Sequence, residues 1–281
     1  MRNLVAVLAF GAVLGFAAAH ARPTAAGQVQ SMPDISLEAE ALGGVDGGRD
    51  FHVTIVKTGD ADADATQAAA DAAVARGIRA IADYETQLHD VLGHMPNPFV
   101  RVTGAGDRLV YRADSIADCV AFSGAQAAGG GPHRLACRGN PYPSAGFYLG
   151  SYYNEIGQPE LALPALDLGL IAGPNSPILI AERNAALEGL RRWDDVLAGA
   201  ARGLAIANLA PHDRALMLRN RGFALTELKR LDEAQQAYQD SLALDPDNAL
   251  AKNELTYIAG LKAGDAATPG GIFMPNKPKS P

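Results

Sequence analysis

The sequence predicts a mainly α-helical protein: an α-solenoid of about three helix pairs with a capping helix, preceded by a small α+β module. Three observations predict this fold. Helix–turn–helix segments recur every 34 to 38 residues in the second half of the chain. Short β-branched runs, glycines and prolines interrupt the helical pattern of the first half. Two cysteines follow an export signal, so a stabilising disulfide is expected.

The clearest repeat runs from Ala215 to Asn248. Small, large and proline residues recur in it at fixed positions: Gly222 at 8, Leu225 at 11, Ala234 at 20, Tyr238 at 24 and Pro246 at 32. Small residues at positions 8 and 20 let two helices approach closely, and the larger residues fill the space between them. This pattern predicts two antiparallel helices joined by a short turn.

Two further repeats precede it. Pro143 to Ser176 has the same pattern, with Gly157 at position 15, where a left-handed residue ends the first helix. The middle repeat begins near Pro177 and places Asn184 at position 8. Arg191 and Lys229 hold position 15 in the second and third repeats. Ala249 to Lys262 predicts a single capping helix that ends at Gly264.

These units resemble tetratricopeptide repeats over residues 143–262. The resemblance implies a groove lined by the first helix of each unit, and binding of an extended protein or peptide segment without catalysis. Carried over by position, the implied groove residues are Phe147, Ser151, Asn154, Arg219, Phe223, Asn253 and Tyr257. Glu188 and Glu227 also fall at groove positions.

Two features of the implied groove limit which ligand it is expected to bind. Repeats that hold the C-terminal carboxylate of chaperones use a Lys/Asn/Arg clamp, and Phe147 and Ser151 stand where its first Lys and Asn would be. A carboxylate-terminated chaperone peptide is therefore not expected. Phe147 and Phe223 have an alternative role, which is to pack against the neighbouring repeat.

Residues 1–21 are expected to be a signal peptide. Arg2 precedes an apolar stretch, and Ala19-His20-Ala21 is a small-x-small cleavage site. The periplasm is the expected destination, and secretion to the medium is the alternative. No other segment approaches 18 apolar residues, so no stable membrane insertion is expected after cleavage.

The charge of the chain excludes one class of partner. Its formal net charge is −7, with a pI near 5.3. Nucleic-acid binding needs clustered Lys and Arg, so no nucleic-acid partner is expected. At 48% apolar residues the chain has the material for a sizeable core.

Residues 22–50 are expected to be a flexible lead-in, and residues 51–140 a small α+β module. The module is predicted to contain a strand at Phe51–Val56 and one helix over 65–92, with Val74, Ile78, Ile81, Leu88 and Leu92 on its buried face. Further predictions are a hairpin around Gly104–Asp107, a strand at Val120–Phe122 and a loop over Gly124–Gly131. Cys119 and Cys137 are expected to form a disulfide.

The residues that could carry catalysis form no known motif, so no enzyme activity, cofactor or metal site is expected. The nearest approach to a metal motif, the Asp-Ala alternation after Asp60, lacks the glycine and distal glutamate of a calcium loop. Two alternatives stay open. One is an enzyme or small-ligand module at 45–140, using His52, His89, His94 and His133; the other is a self-associating structural protein. The tail, 263–281, is expected to be disordered.

Overall fold

The computed structural model describes residues 36–43, 49–56, 59–105, 108–129 and 134–264. Side chains are described from residue 59 onward within these ranges, except at positions 105 and 127. Within these residues the chain divides into two compact units. One contains 36–152 and 165–174, and is called here the mixed unit. The other contains 153–164 and 175–264, and is called the helical unit.

The mixed unit is built on a five-stranded sheet with the order β2-β1-β5-β4-β3. β1 is antiparallel to both β2 and β5, β3 is antiparallel to β4, and β4 is parallel to β5. The five strands are β1 (Ser36–Gly43), β2 (Arg49–Val56), β3 (Val102–Ala105), β4 (Arg108–Ala113) and β5 (Arg134–Gly139).

The first two strands confirm one prediction and correct another. The strand expected at Phe51–Val56 is present as part of β2. The lead-in expected at 22–50 contains β1, which pairs with β2 from Ser36↔Val56 to Gly43↔Arg49. Glycine- and acid-rich composition misled the prediction here, because a strand paired on both sides depends on its neighbours more than on its own propensity.

The single helix expected over 65–92 is three segments: α1 (Ala61–Arg76), a 3-10 helix (Ile78–Tyr84) and α2 (Glu85–Gly93). Gly77 separates the first two with φ of 86° and ψ of 167°, a conformation that no helix contains. The break changes the buried face. Ile81, Leu88 and Leu92 are buried as predicted, whereas Val74 is 61% exposed.

The rest of the mixed unit is partly as expected. The hairpin is confirmed, with Ala105 paired to Arg108. The strand expected at Val120–Phe122 is wrong, because these residues lie within α3 (Ile116–Ala128). The same helix takes residues 124–128 of the expected loop. Cys119 and Ser123 lie one helical turn apart on α3, and both side chains are buried.

The predicted disulfide between Cys119 and Cys137 is confirmed. It joins α3 to β5 inside a core cluster that includes Tyr111, Ala113 and Leu135. The Tyr111 ring stacks on Phe122 with 4.0 Å between ring centroids. The disulfide therefore closes the β4–α3–β5 segment, where the helix lies against a parallel strand pair.

The predicted helix pairs are confirmed. The first helices of the three pairs and the cap are α4 (Tyr142–Glu155), α6 (Pro177–Gly189), α8 (Pro211–Glu227) and α10 (Ala249–Ala263). The second helices are α5 (Pro159–Ala172), α7 (Trp193–Leu204) and α9 (Leu231–Leu244). Within the helical unit, α6 and α10 each contact α8, so first helices are neighbours there.

The turn inside each pair uses the same backbone conformation. Gly157, Arg191 and Lys229 all have positive φ, at 73°, 57° and 63°. The amide one residue further on donates in each case to a carbonyl five residues before it, as Arg230 N does to Leu225 O at 2.9 Å. Repeat geometry therefore imposes a left-handed residue even where the sequence has Arg or Lys.

Positions 8 and 24 of each pair are complementary in size. A Cβ on Gly222 would lie 2.8 Å from Cε2 of Tyr238, so glycine is needed for this helix crossing. In the middle repeat the sizes are reversed: Asn184 at position 8 is fully buried, and Ala200 at position 24 is small. The degenerate repeat thus keeps the crossing by exchanging the large residue between helices.

The end of the array is also as predicted. The cap α10 ends at Gly264, which is left-handed with φ of 96°.

The signal peptide expected at 1–21 lies outside the described residues, as does the tail from 265. Among the helices that the structure describes, none combines the length and apolar character needed to cross a membrane.

Candidate peptide-binding groove

The groove predicted by resemblance would be lined by first helices, and in the helical unit these are α6, α8 and α10. We call the surface formed by these three helices the first-helix face. A partly buried hydrogen bond joins two of them, from Asn184 Nδ2 to Asn220 Oδ1 at 3.3 Å. The end of α4 is tied to α6 in the same unit. Neighbouring first helices therefore bring side chains from separate repeats together.

Asn154 makes the tie between α4 and α6. Its Nδ2 donates to the backbone oxygen of Glu182 at 2.9 Å and to Glu182 Oε2 at 3.1 Å. Asn154 is only 3% exposed. The amide nitrogen of Asn154 therefore forms hydrogen bonds inside the helical unit. Its contact with a bound peptide stays a prediction.

Arg219 is similarly committed. Its Nη1 lies 3.2 Å from Asp245 Oδ2 and 3.3 Å from Ser241 Oγ, so it joins α8 to the end of α9. Burial is the main influence on its pKa and lowers it, while the charge of Asp245 opposes that change. The guanidinium is held inside a helix pair, and the prediction that it contacts a ligand remains untested.

The aromatic and amide members lie closer to solvent. Phe223 packs edge-to-face on Trp193 of the preceding repeat, with 5.8 Å between ring centroids. Packing on a neighbouring repeat, the alternative considered for this residue, is therefore present. Phe223, Asn253 and Tyr257 are each partly exposed, so part of each side chain is accessible to a partner.

Phe147 and Ser151 belong to the mixed unit. Phe147 is 8% exposed and packs edge-to-face on Tyr148, with 5.1 Å between centroids. Ser151 is also 8% exposed, and its Oγ is buried without a hydrogen-bond partner among the described residues. The other five predicted groove residues belong to the helical unit.

The most unusual feature of the first-helix face is a set of three glutamates. Glu188 comes from α6, Glu227 from α8 and Glu254 from α10. Glu254 is 5% exposed, and Glu188 Oε1 is buried without a hydrogen-bond partner in the described part of the chain. We call these three residues the acidic cluster.

The electrostatics of the acidic cluster follow from burial and from like charge. Burial raises the pKa of Glu188 to about 8, and the charges of Glu254 and Glu227 add to the effect. Burial likewise raises the pKa of Glu254 to about 7, with a further contribution from Glu227. The Tyr238 hydroxyl on α9 also has a pKa raised well above its usual value, mainly by burial.

Sequence reasoning placed Glu188 and Glu227 at groove positions but assigned recognition to aromatic and amide residues. It missed Glu254. The available signal was the recurrence of glutamate on successive first helices. Periodicity alone does not reveal that these carboxylates act on one another, because Glu254 is at position 6 of its helix rather than at position 12 or 13.

The histidines of the mixed unit were the basis of the alternative function. His94 Nδ1 lies 2.8 Å from Asp62 Oδ1, and this hydrogen bond raises the pKa of His94. Both His89 and His94 are exposed. The His52 side chain and His133 fall outside the described parts. Where the structure is described, no three His, Cys, Asp or Glu residues are grouped so as to hold a metal ion.

The recurring helix pairs, the left-handed turn position and the complementary crossings define a tetratricopeptide-like array. Comparison with known proteins finds similarity over part of the chain. No protein-family model matches the chain. It is 32% identical over 109 residues to RNA polymerase II-associated protein 3 of Mus musculus. That match covers 39% of this chain and 16% of the mouse protein.

Two solved structures are similar to part of the chain. The first TPR domain of the human RPAP3 protein, determined by NMR, has a TM-score of 0.41 and 25% identity, and the match covers 43% of this chain and 93% of that one. The first TPR of Spaghetti (RPAP3) bound to the HSP90 peptide SRMEEVD has a TM-score of 0.40 and 25% identity, covering 44% and 94%.

Proposed function

We propose that this protein is an exported, non-catalytic adaptor that binds a protein segment on the first-helix face. The observation that carries the proposal is the arrangement of α6, α8 and α10, in which neighbouring first helices present partly exposed and ionisable side chains. Such a surface suits an extended segment, which can contact several repeats at once. The expected export signal assigns the partner to the periplasm or the medium.

The partner is proposed to be a protein or peptide. Arrays of stacked helix pairs offer extended binding surfaces. Phe223 and Tyr257 would supply aromatic contact area, and Asn253 would hydrogen-bond to the backbone of the bound segment.

Site-specific photocrosslinking tests the proposal. A photoreactive amino acid would be placed on the first-helix face at Ala181, Ala185 or Asn253, and on second helices at the exposed residues Ala198 or Gln239. Crosslinking in the native compartment should give a discrete partner band from the first-helix positions and not from the second-helix positions. Bands from the second-helix positions alone, or none at all, would reject the adaptor proposal.

Self-association gives a different result in the same experiment. A band at twice the mass of the chain that contains only this protein would replace the partner band. Light scattering across a concentration range would then show the dimer directly, and the structural alternative would take the place of the adaptor.

A further inference from the structure

We infer that the acidic cluster Glu188, Glu227 and Glu254 is a binding site for a cationic side chain, lysine or arginine, of the bound segment. This inference rests on the proposed function, because it specifies the kind of segment that the first-helix face accepts.

The three carboxylates come from two repeats and the capping helix. α6 and α10 both contact α8, so the three helices that carry these residues are neighbours on the first-helix face. The charges of Glu227 and Glu254 both act on Glu188, and that of Glu227 acts on Glu254. The cluster is therefore one electrostatic site, although its members lie far apart in the sequence.

The carboxylates also lack counter-charges. Glu254 is 5% exposed, and neither a hydrogen bond nor an ion pair joins it to another residue that the structure describes. Glu188 Oε1 is buried and unpaired. An unpaired buried carboxylate is costly, and either a proton or a cation relieves the cost. Two such groups in one site indicate a place for an incoming cation.

Arg219, a cationic side chain on the same face, does not neutralise the acidic cluster. Arg219 lies on the same helix as Glu227, but its Nη1 is held by Asp245 and Ser241. The charge of Arg219 acts on the pKa of Tyr238. The pKa values of Glu188 and Glu254 are instead shifted by burial and by the other glutamates. The acidic cluster is thus unneutralised within the described part of the helical unit.

The spacing of the carboxylates favours an organic cation over a metal ion. Ca²⁺ needs its oxygen ligands within about 2.6 Å, and the described residues hold no group of three His, Cys, Asp or Glu close enough to coordinate a metal. An ammonium group has three donors and a guanidinium five, so either can satisfy carboxylates that stand further apart. A lysine or arginine side chain also passes between helices with its apolar stem buried.

Binding of such a cation is linked to proton release. Without ligand, Glu188 and Glu254 have raised pKa values, so near neutral pH they hold protons. A bound cation favours the ionised carboxylates and expels these protons. The other groups that act here are Glu227, Tyr238 and Arg219. Affinity for a cationic ligand should therefore rise from pH 6 to 8.

The experiment uses the full mature chain and two fluorescent probes, octalysine and octaglutamate, with fluorescence anisotropy as the readout. The test variant replaces all three glutamates: Glu188→Gln, Glu227→Gln and Glu254→Gln. The matched control removes the same number of carboxyl groups from exposed sites on the second helices α7 and α9: Asp194→Asn, Asp232→Asn and Asp240→Asn. Because Glu188 and Glu254 hold protons near neutral pH, the control loses at least as much negative charge as the test variant. Non-specific attraction of a cationic probe therefore falls at least as far in the control.

Octalysine should bind the native chain and the matched control with similar affinity. Its affinity for the test variant should be lower by about tenfold or more. Affinity for the native chain should increase from pH 6 to 8, and this increase should be absent from the test variant. Equal binding to all three proteins, equal loss in both variants, or equal binding of octaglutamate would overturn the inference. Glu254→Gln alone serves as a second variant, with circular dichroism to confirm folding.

The result is separable from the crosslinking test. Partner bands from the first-helix positions together with no octalysine binding would keep the adaptor function and reject the cationic site. Specific octalysine binding without any partner band would keep the site and reject the adaptor. Competition of octalysine against the crosslinked partner would connect the two.

Discussion

The two compact units hold their helices in different ways. In the mixed unit, α3 is joined to the sheet by a disulfide, and Arg101 on the edge of the sheet contacts Asp114, Asp118 and the carbonyl of Ala172. In the helical unit, helices are joined by complementary shape, as at Gly222 and Tyr238. The difference shows that an irregular α+β fold relies on specific bonds, whereas repeated helix pairs rely on one packing solution used several times.

The largest effect is expected in the mixed unit. Replacing Cys119 and Cys137 together with Ala should lower the free energy of unfolding by about 3 kcal/mol, because the sequence separation of 18 residues sets the loop entropy that is lost. Urea unfolding with and without a reductant measures this. The reductant should destabilise the native chain and leave the double variant unchanged; a double variant as stable as the oxidised native chain would contradict the prediction.

A smaller change in stability is expected from Gly→Ala substitutions, which compare how tightly helices pack in the two units. Gly222→Ala should cost about 1–3 kcal/mol, because the added Cβ meets the buried ring of Tyr238 at 2.8 Å. Gly124→Ala is the matched control in α3 of the mixed unit, where a Cβ meets nothing within 4 Å. That substitution should stabilise the protein by about 0.5–1 kcal/mol. Thermal unfolding of both variants would show opposite shifts, and shifts of the same sign would break the comparison.

The acidic cluster makes the stability of the helical unit depend on pH. Folding raises the pKa of Glu254 from 4.5 to about 7, so its contribution is fully present below pH 4.5 and is lost as the pH rises through 7. Glu254→Gln removes this dependence. The variant should match the native chain near pH 4.5 and exceed its stability at pH 9 by up to about 3 kcal/mol.

Urea unfolding across pH 4.5 to 9 measures the difference. The control is Asp240→Asn, which removes a charge from an exposed position of α9 and should leave the pH profile of stability in place. A Glu254→Gln profile that parallels the native one would show that this carboxyl titrates at its ordinary pKa.

Helix caps offer a matched comparison with a smaller effect. Asn248 Oδ1 accepts from Ala251 N at 3.0 Å at the start of α10, and its Nδ2 donates to Asp245. Asp60 Oδ1 accepts from Asp62 N at 3.1 Å at the start of α1. Asn248→Ala should cost about 1–2 kcal/mol and Asp60→Ala about 1 kcal/mol. Chemical denaturation measures both losses of stability. A loss for Asn248→Ala no larger than that for Asp60→Ala would show that the second contact of Asn248 contributes nothing.

The smallest expected effect tests the shared turn. Lys229→Gly should stabilise the helical unit by about 0.5 kcal/mol, because glycine adopts the φ of 63° without strain. Gly157→Ala places a side chain on the equivalent turn and should destabilise by a similar amount. Melting temperatures that move together would show that the left-handed conformation carries no cost in this repeat.

Parts of this molecule could be predicted from sequence because they depend on local pattern. Gly222 and Tyr238 at positions 8 and 24, and the turn residues 157, 191 and 229, follow from periodicity, since each helix pair repeats the same contacts. The segment around Gly77 could not be predicted, because its apolar residues keep helical spacing across a glycine that breaks the helix. Residues 36–43 were missed because their pairing partners include β5, about 100 residues further along the chain.

By itself, the sequence determined the helix pairs, the cap, the hairpin and the disulfide, because these arise from short-range periodicity, turn chemistry and the pairing of two cysteines. Only the tertiary structure decided which groove residues are committed to internal contacts, as Asn154 and Arg219 are. It also decided that glutamates from two repeats and the capping helix act on one another without a counter-charge. Burial and electrostatic environment depend on how helices pack, and no single repeat encodes them.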